Sequence, residues 1–274
     1  MINRYTVIGQ PIAHSLSPVV HQLFGELTQR KIHYTRTEAS PETFADTVID
    51  WQKSGARGCN VTAPFKELAV EVSDRLSPNA LRAGSVNTIH MHRDGSRVGH
   101  NTDGLGLVAD IQSNLRRPLE GQRILLLGAG GAARGVMAPL LATKPALLHV
   151  ANRTASKAEL LSSLFEDLGA VSGSGFEELE GWDKFDIVIN ATTVSMNGGL
   201  PPLPEDIISH QSLAYDMTYS TRDTLFMGWC KARGASASNG LGMLVEQAAE
   251  AFLIWEGVRP KTRMAFPRLR ELIS

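Results

Sequence analysis

The sequence predicts a two-domain α/β protein. Short apolar runs alternate with helix-length amphipathic stretches, a polar Pro/Gly break interrupts that alternation at 116–121 ("RRPLEG"), and a glycine-rich turn restarts it. A length of 274 residues suits two domains of ordinary size, and 43% hydrophobic with 20% charged residues is enough apolar material to bury two cores.

Taken in order, "YTVIG" (5–9), "HYTRT" (33–37), "GCNVT" (58–62) and "SVNTIHMH" (85–92) read as strands, with helical patterns at 18–30, 41–54 and 64–76 between them. "DGSRVGH" (94–100) reads as a turn entering a short strand. A mostly parallel sheet follows from this alternation. "DGLGLVADIQSNL" (103–115) is an amphipathic helix, and the domain boundary falls near it. Beyond the break, "RILLLG", "ALLHVANR", "FDIVINAT" and "SLAYDM" are strands without strict alternation, as expected where helices cover both faces. From Leu241, "LGMLVEQAAEAFLIWEG" is a long helix, apolar on most sides, that must pack heavily.

Net charge is −1 with no long basic or acidic run, so neither a nucleic-acid nor an acidic-membrane partner has electrostatic support. Cys59 and Cys230 are far apart and fit neither a disulfide framework nor a metal knuckle, which points to buried thiols in a reducing compartment. The amino terminus lacks an apolar region of signal-peptide length. The expected location is the cytoplasm. "HMH" (90–92) with His100 lacks a completing carboxylate or thiol and reads as surface histidines, with no metal site.

"ILLLGAGGAARG" places Gly128, Gly130 and Ala133 in the G-x-G-x-x-G/A pattern, directly after an apolar strand and opening a helix. Glycines allow a tight turn and close backbone approach, and the helix N-terminus attracts a pyrophosphate. Gly128, Ala129, Gly130, Gly131 and Ala132 are therefore the expected phosphate cradle of a dinucleotide. An NAD site carries an acid at the end of the second strand; "VANRTASKAE" has none before Glu159. It offers Asn152, Arg153, Thr154 and Lys157 instead, which suit a 2′-phosphate. NADP(H) is the expected cofactor.

In the first half, Ser15 and Ser17 of "HSLSP" stand two apart at a helix entrance, where hydroxyls act as caps or hold a carboxylate. "CNVTAPFKE" supplies Asn60, Thr62 and Lys66. Pro64 suits the first turn of a helix with Thr62 as its cap, which would set Lys66 at the positive end of the helix dipole. "GSVNT" supplies Asn87, and "HNTDGLG" supplies Asn101, Thr102 and Asp103. Gln247 lies on one face of the last helix with Met243, Glu250 and Ala251.

Together "SLSP", "NVTAPFK", "GSVNT", "NTDG", the glycine turn followed by "NRT", "INAT", "YDM" and "NGLGMLVEQ" resemble the shikimate dehydrogenase family from about Ile8 to Glu256. The resemblance implies an α/β substrate domain (1–103, completed by 241–274 through a carboxy-terminal helix that folds back) and a Rossmann NADP-binding domain (104–240). It also implies NADPH-dependent reduction of 3-dehydroshikimate to shikimate in aromatic amino-acid biosynthesis.

Carried over by motif, Ser15 and Ser17 would meet the substrate carboxylate. Asn60, Thr62, Lys66, Asn87, Asp103, Tyr215 and Gln247 would surround the ring and the reacting carbon. Thr192, Met217 and Gly240 would join the cofactor residues. Lys66 would supply a proton and positive charge to the developing alkoxide, oriented by Asp103. The sequence departs from the family at 193–199 ("TVSMNGG"), where a small-residue loop is usual. Two other readings stay open at this stage. One is an enzyme of the same fold that also takes quinate, with NAD or NADP; the other is a non-catalytic NADP-binding regulator, for which Lys66 and Asp103 would have no use. The expected partner is a small molecule, with the protein a monomer or homodimer.

Overall fold

A computed structural model of the chain describes residues 2–192, 194, 199–220 and 222–273, so most of the unusual 193–199 stretch lies outside the described residues. The chain divides into two compact units, residues 1–106 with 244–274 and residues 107–243. Both divisions fall inside helices, α5 (Asp103–Ala109) and α9 (Leu241–Glu256).

In the first unit, β1 (Asn3–Gly9), β2 (Ile32–Glu38), β3 (Gly58–Val61), β4 (Arg75–Leu76), β5 (Thr88–Met91) and β6 (Arg97–His100) form one sheet in the order β2-β1-β3-β5-β6-β4. β1 runs parallel to β2 and β3, and β4 parallel to β6, but β5 is antiparallel to both β3 and β6. That reversal has a consequence for the site. The ends of β1, β3 and β6 and the start of β5 all come to one edge of the sheet.

Side chains alternate across the pleat. Tyr5 and Val7 of β1 pack on one face against Val20 and Phe24 of α1 (Ser17–Thr28) and against Ala248, Phe252 and Trp255 of α9. Ile8, Cys59, Val61, Ile89 and Met91 face the other way, onto Phe44 and Val48 of α2 (Phe44–Lys53), Ala69 of α3 (Leu68–Glu71) and Ala80 of α4 (Pro78–Ala83). The carboxy-terminal part of α9 is fixed by more than apolar contact. Trp255 stacks on Tyr5 at 4.5 Å between ring centroids, and its indole N–H donates to the Ile89 carbonyl at 3.1 Å.

The expected helix over 64–76 is mostly absent. Phe65 N–H bonds to the Thr62 carbonyl at 3.0 Å, the Ala63–Pro64 peptide is cis, and helix begins only at Leu68, for four residues. Pro64 therefore sits in a tight turn, Thr62 caps no helix, and Lys66 lies just ahead of the four-residue α3 rather than inside a helix. The proline signal is shared by both conformations; the cis peptide is not visible in sequence. A two-residue strand and the short α4 occupy the stretch that follows.

The second unit is the regular one. β7 (Arg123–Leu127), β8 (Leu147–Asn152), β9 (Val171–Gly175), β10 (Ile187–Asn190), β11 (Leu213–Asp216) and β12 (Ser236–Asn239) are all parallel, in the order β12-β11-β10-β7-β8-β9. This is the strand order of a doubly wound dinucleotide-binding sheet, whose order reverses beside the first strand. Apolar layers lie on both faces. α6 (Gly131–Ala142) and α7 (Ala155–Ser163) cover Ile124, Leu126, Leu148 and Val150, while Leu125, Leu127 and Val188 meet Phe226, Met227 and Cys230 of α8 (Leu225–Ala232). Cys59 and Cys230 are free and buried, and burial pushes each thiol up to about 12, so neither is a reactive thiolate. No helix among the described residues is long and apolar enough to cross a membrane.

Candidate active site

The edge where β1, β3 and β6 end and β5 begins carries most of the substrate candidates. Asn60 is the third residue of β3, Thr62 follows that strand, Asn87 precedes β5, and Asn101, Thr102 and Asp103 follow β6. Residues some 40 positions apart meet there because the antiparallel strand reverses the chain between them.

Lys66 Nζ lies 2.6 Å from Asp103 Oδ2, with 28% of the lysine side chain and 10% of the aspartate exposed. The lysine side chain thus keeps partial access to solvent while its counter-ion is largely enclosed. Asp103 Oδ1 accepts from Asn87 Nδ2 at 2.8 Å, and the Asp103 N–H bonds to Asn101 Oδ1 at 3.1 Å. Asn101 is itself anchored on Ser85, on both its carbonyl and its hydroxyl. Asn101 therefore shapes the entrance to α5 and has little left for a ligand.

Asn87 is the hub. Its Oδ1 accepts from the Thr102 N–H at 2.9 Å and from the Thr88 hydroxyl at 3.0 Å, while Nδ2 also reaches the Thr102 hydroxyl at 2.9 Å and Gln247 Oε1 at 3.4 Å. Gln247, half-buried on α9, donates to the Leu244 carbonyl at 2.9 Å and turns its oxygen toward this cluster. Asn60 lies beneath it. Its amide donates to the Asn87 carbonyl and to Thr88 Oγ1, and its oxygen accepts from the Tyr34 hydroxyl at 2.6 Å. With both donors used internally, Asn60 holds Asn87 in place rather than presenting its amide outward.

Ser15 and Ser17 stand at the entrance to α1. Ser15 Oγ accepts the Ser17 N–H at 3.3 Å, and Leu16 makes no side-chain cap. The exposed Arg36, which belongs to no sequence motif, donates to the Ser15 carbonyl from Nε at 2.9 Å and from Nη2 at 2.5 Å. Its only sequence signal is a lone cation on a strand whose outward positions alternate with buried ones. Tyr34 and Thr88 were also unmarked. Thr88 ends "GSVNT", but nothing in sequence says its hydroxyl faces inward.

His90, His92 and His100 are half-buried rather than surface residues. The rings of His90 and His92 lie 4.1 Å apart, and burial, with the charges of His92, Arg57 and His100, lowers His90 to about 4. Among the described residues no group of His, Cys, Asp or Glu could hold a metal ion.

In the second unit the cofactor candidates gather at the carboxyl ends of the strands. Gly128 follows β7 with φ +104°, a conformation that favours glycine, and a Cβ there would come within 3.1 Å of Thr192, which follows β10. Gly130 is the N-cap of α6, and Gly130, Gly131 and Ala132 are exposed. The helix opens its free N–H groups at the point where the strand order reverses. Asn152 ends β8 and donates to the Thr154 carbonyl, and Arg153, Thr154 and Lys157 are exposed. Thr192 bonds to Asn190 Oδ1 through both its N–H and its hydroxyl. Gly240 follows β12, where a Cβ would overlap the Met217 carbonyl oxygen, so only glycine lets these two segments approach.

Tyr215 is fully buried in this unit. Its hydroxyl donates to Asp110 Oδ2 at 2.7 Å and accepts from the Met243 N–H at 3.2 Å.

Known proteins with this arrangement have been characterised. The family model of the shikimate dehydrogenase substrate binding domain matches residues 7–89, that of shikimate/quinate 5-dehydrogenase matches 110–197, and that of the shikimate 5′-dehydrogenase C-terminal domain matches 240–263. The chain is 51% identical to the shikimate dehydrogenase (NADP(+)) of Aeromonas hydrophila over 99% of its own length and 97% of that protein's. Among solved structures, an Ael1 enzyme from Pseudomonas putida superposes with a TM-score of 0.92 at 43% identity, covering 97% of this chain and 98% of that one. The shikimate 5-dehydrogenase of Thermus thermophilus, in complex with NADP(H) and shikimate, superposes with a TM-score of 0.87 at 31% identity, covering 98% and 99%. At this identity and coverage, the chain belongs to the shikimate dehydrogenase family.

Proposed function

We propose that the chain is an oxidoreductase that interconverts 3-dehydroshikimate and shikimate with NADP(H), and that Lys66 and Asp103 carry the chemistry. The single observation behind this reading is the 2.6 Å pair of Lys66 and Asp103 inside a polar cluster, with the lysine side chain partly exposed. Reduction by hydride turns a carbonyl into an alkoxide, which needs nearby positive charge and a proton. The Lys66 ammonium supplies both. Asp103, itself held by Asn87, fixes where the ammonium points. The same lysine accepts the proton back when shikimate is oxidised.

The other assignments rest on the same footing. Ser15 and Ser17, at the entrance to α1, suit the substrate carboxylate, with Arg36 fixing the loop that presents them. Thr62 and Gln247 suit the ring hydroxyls, Asn87 reaches one only by releasing its Thr102 hydroxyl contact, and Asn60 supports Asn87. Tyr215 is the substrate candidate of the second unit, where its hydroxyl is bonded to Asp110. The first unit is then the substrate domain, and the second, with its glycine turn, is the NADP domain.

NADP(H) supplies the hydride when bound. Gly128 to Ala132 suit its pyrophosphate, and Arg153 with Lys157, flanked by Asn152 and Thr154, suits the 2′-phosphate; Thr192, Met217 and Gly240 complete the strand-end rim. A pathway reductase of this kind, with a small-molecule partner, fits the cytoplasm.

The reading is tested by mixing the protein with NADPH and 3-dehydroshikimate and following nicotinamide absorbance. Rapid oxidation of NADPH is expected, with shikimate and NADP in the reverse direction. Equal or higher kcat/KM with quinate and NAD than with shikimate and NADP would contradict it.

A further inference from the structure

We propose that Thr88 and Tyr34 are positioning residues, the inner links of a one-way chain of hydrogen bonds that runs through Asn60 and Asn87 to Asp103 and fixes the carboxylate that holds Lys66. The inference rests on the reading of Lys66 and Asp103 as the catalytic pair.

The direction of every bond follows from two groups that cannot change roles. The Asn87 carbonyl only accepts, so the Asn60 atom 3.1 Å from it is Nδ2, and Asn60 Oδ1 faces Tyr34. The Thr102 N–H only donates, so the Asn87 atom 2.9 Å from it is Oδ1, and Nδ2 faces Asp103. Between these fixed amides the Thr88 hydroxyl accepts from Asn60 at 2.9 Å and must donate to Asn87 at 3.0 Å. The Tyr34 hydroxyl donates to Asn60 at 2.6 Å, and Asn87 donates to Asp103 at 2.8 Å. Four donors therefore point the same way, from a buried phenol to a carboxylate.

Bonds aligned head to tail polarise one another in a medium of low dielectric, so each strengthens the next. The setting meets that condition, since Thr88 is fully enclosed and Tyr34, Asn60, Asn87 and Asp103 are all buried. Burial raises the Tyr34 phenol well above its ordinary value, which keeps it a neutral donor. Its ring is clamped against His21, parallel within 6° at 4.3 Å. His21 is fully buried beside Asn60. At the far end of the chain the phenol stacks on His21 and its hydroxyl also meets Ser17.

Thr88→Val keeps the shape of the side chain and removes only the hydroxyl. Asn60 keeps its bond to the Asn87 carbonyl, and Asn87 keeps the Thr102 N–H, so the fold has support on both sides of the cut. The test compares kcat for Thr88→Val, Thr88→Ser, Tyr34→Phe and the Thr88→Val/Tyr34→Phe double variant, each checked for folding by circular dichroism. Thr88→Val is expected to lower kcat about two- to tenfold, the kinetic equivalent of one net hydrogen bond. Thr88→Ser should stay within about twofold of the parent, a rescue that loss of packing would not give. The double variant should be no slower than Thr88→Val, since a severed chain has nothing further to lose.

A second readout does not depend on turnover. The buried Tyr34 hydroxyl proton should give a slowly exchanging proton NMR signal that moves upfield in Thr88→Val, two bonds along the chain, and stays in place in Thr88→Ser. Parental kcat in folded Thr88→Val, equal losses in the Val and Ser variants, or an unmoved Tyr34 signal would overturn the chain. If Thr88→Val does not fold, parental kcat in Tyr34→Phe overturns it. A parent protein without turnover would indict the assignment of Lys66 and Asp103, and the NMR signal would still decide the chain.

Discussion

Around Lys66 in the first unit the polar side chains bond to one another, whereas at the glycine turn of the second unit Arg153 and Lys157 are exposed, their side chains without a hydrogen bond or ion pair to any described residue. The contrast follows from the ligands proposed for each. A phosphate dianion attracts cations over several ångströms and tolerates flexible ones, so its site needs charge more than fixed geometry. A ring carrying hydroxyls offers only short, directional bonds, and its site must be oriented beforehand. The first unit therefore holds its donors and acceptors in a closed network, and the second leaves Arg153 and Lys157 without partners among the described residues.

If the contrast is sound, Asn87→Ala should do the most damage. It strands the Thr102 N–H, the Thr88 hydroxyl and one oxygen of Asp103 together, each buried. Turnover should fall about a hundredfold or more and stability by about 3 kcal/mol, read from steady-state kinetics and denaturant unfolding. A stable, active variant would mean that the network is decoration.

Acid should separate the units next. Burial lowers His21 to about 3 in the first unit and His149 to about 4 in the second, where its two ring nitrogens meet Ser172 and Ser174. The unfolded imidazole binds a proton near pH 6.5 and the folded one does not, so stability falls as pH drops below about 6.5 and levels off near the folded values. Each residue should remove about 2 kcal/mol between pH 7 and pH 5. His90, also lowered to about 4, adds to the loss in the first unit. Urea unfolding at the two pH values, with His21→Phe flattening the slope, checks both sign and size.

The smallest effect belongs to the exposed cations. Arg153→Ala should raise KM for NADP by about tenfold or less and leave that for NAD nearly unchanged, because an exposed charge is screened by solvent. Its melting temperature should not move. Equal weakening of both cofactors would make Arg153 structural.

Legibility in sequence divides along the same line. The second unit was readable almost element by element, since parallel strands buried on both faces leave continuous apolar runs such as "RILLLG", and a glycine turn has few conformations. In the first unit the motif residues were visible but their relations were not. Lys66 was expected on a helix and lies in a turn after a cis peptide; Asn60 was expected to face the ligand and spends both its donors inside. Tyr34 and Thr88 carried no signal, because an inward hydroxyl on a strand looks in sequence like any other strand residue. A sheet that mixes parallel and antiparallel pairs sets which loops meet, and that information is in the topology alone.

The central claim is that Lys66 and Asp103 act as one catalytic unit inside that network, and single-turnover hydride transfer from NADPH to 3-dehydroshikimate tests it most directly. Lys66→Ala should slow the step by about 10² or more while substrate affinity changes less, since other groups hold the carboxylate and ring. Asp103→Asn should slow it as well, and the double variant should lose less than the product of the two single losses. A folded Lys66→Ala protein with near-parental hydride transfer, or strictly multiplicative losses, would contradict the account.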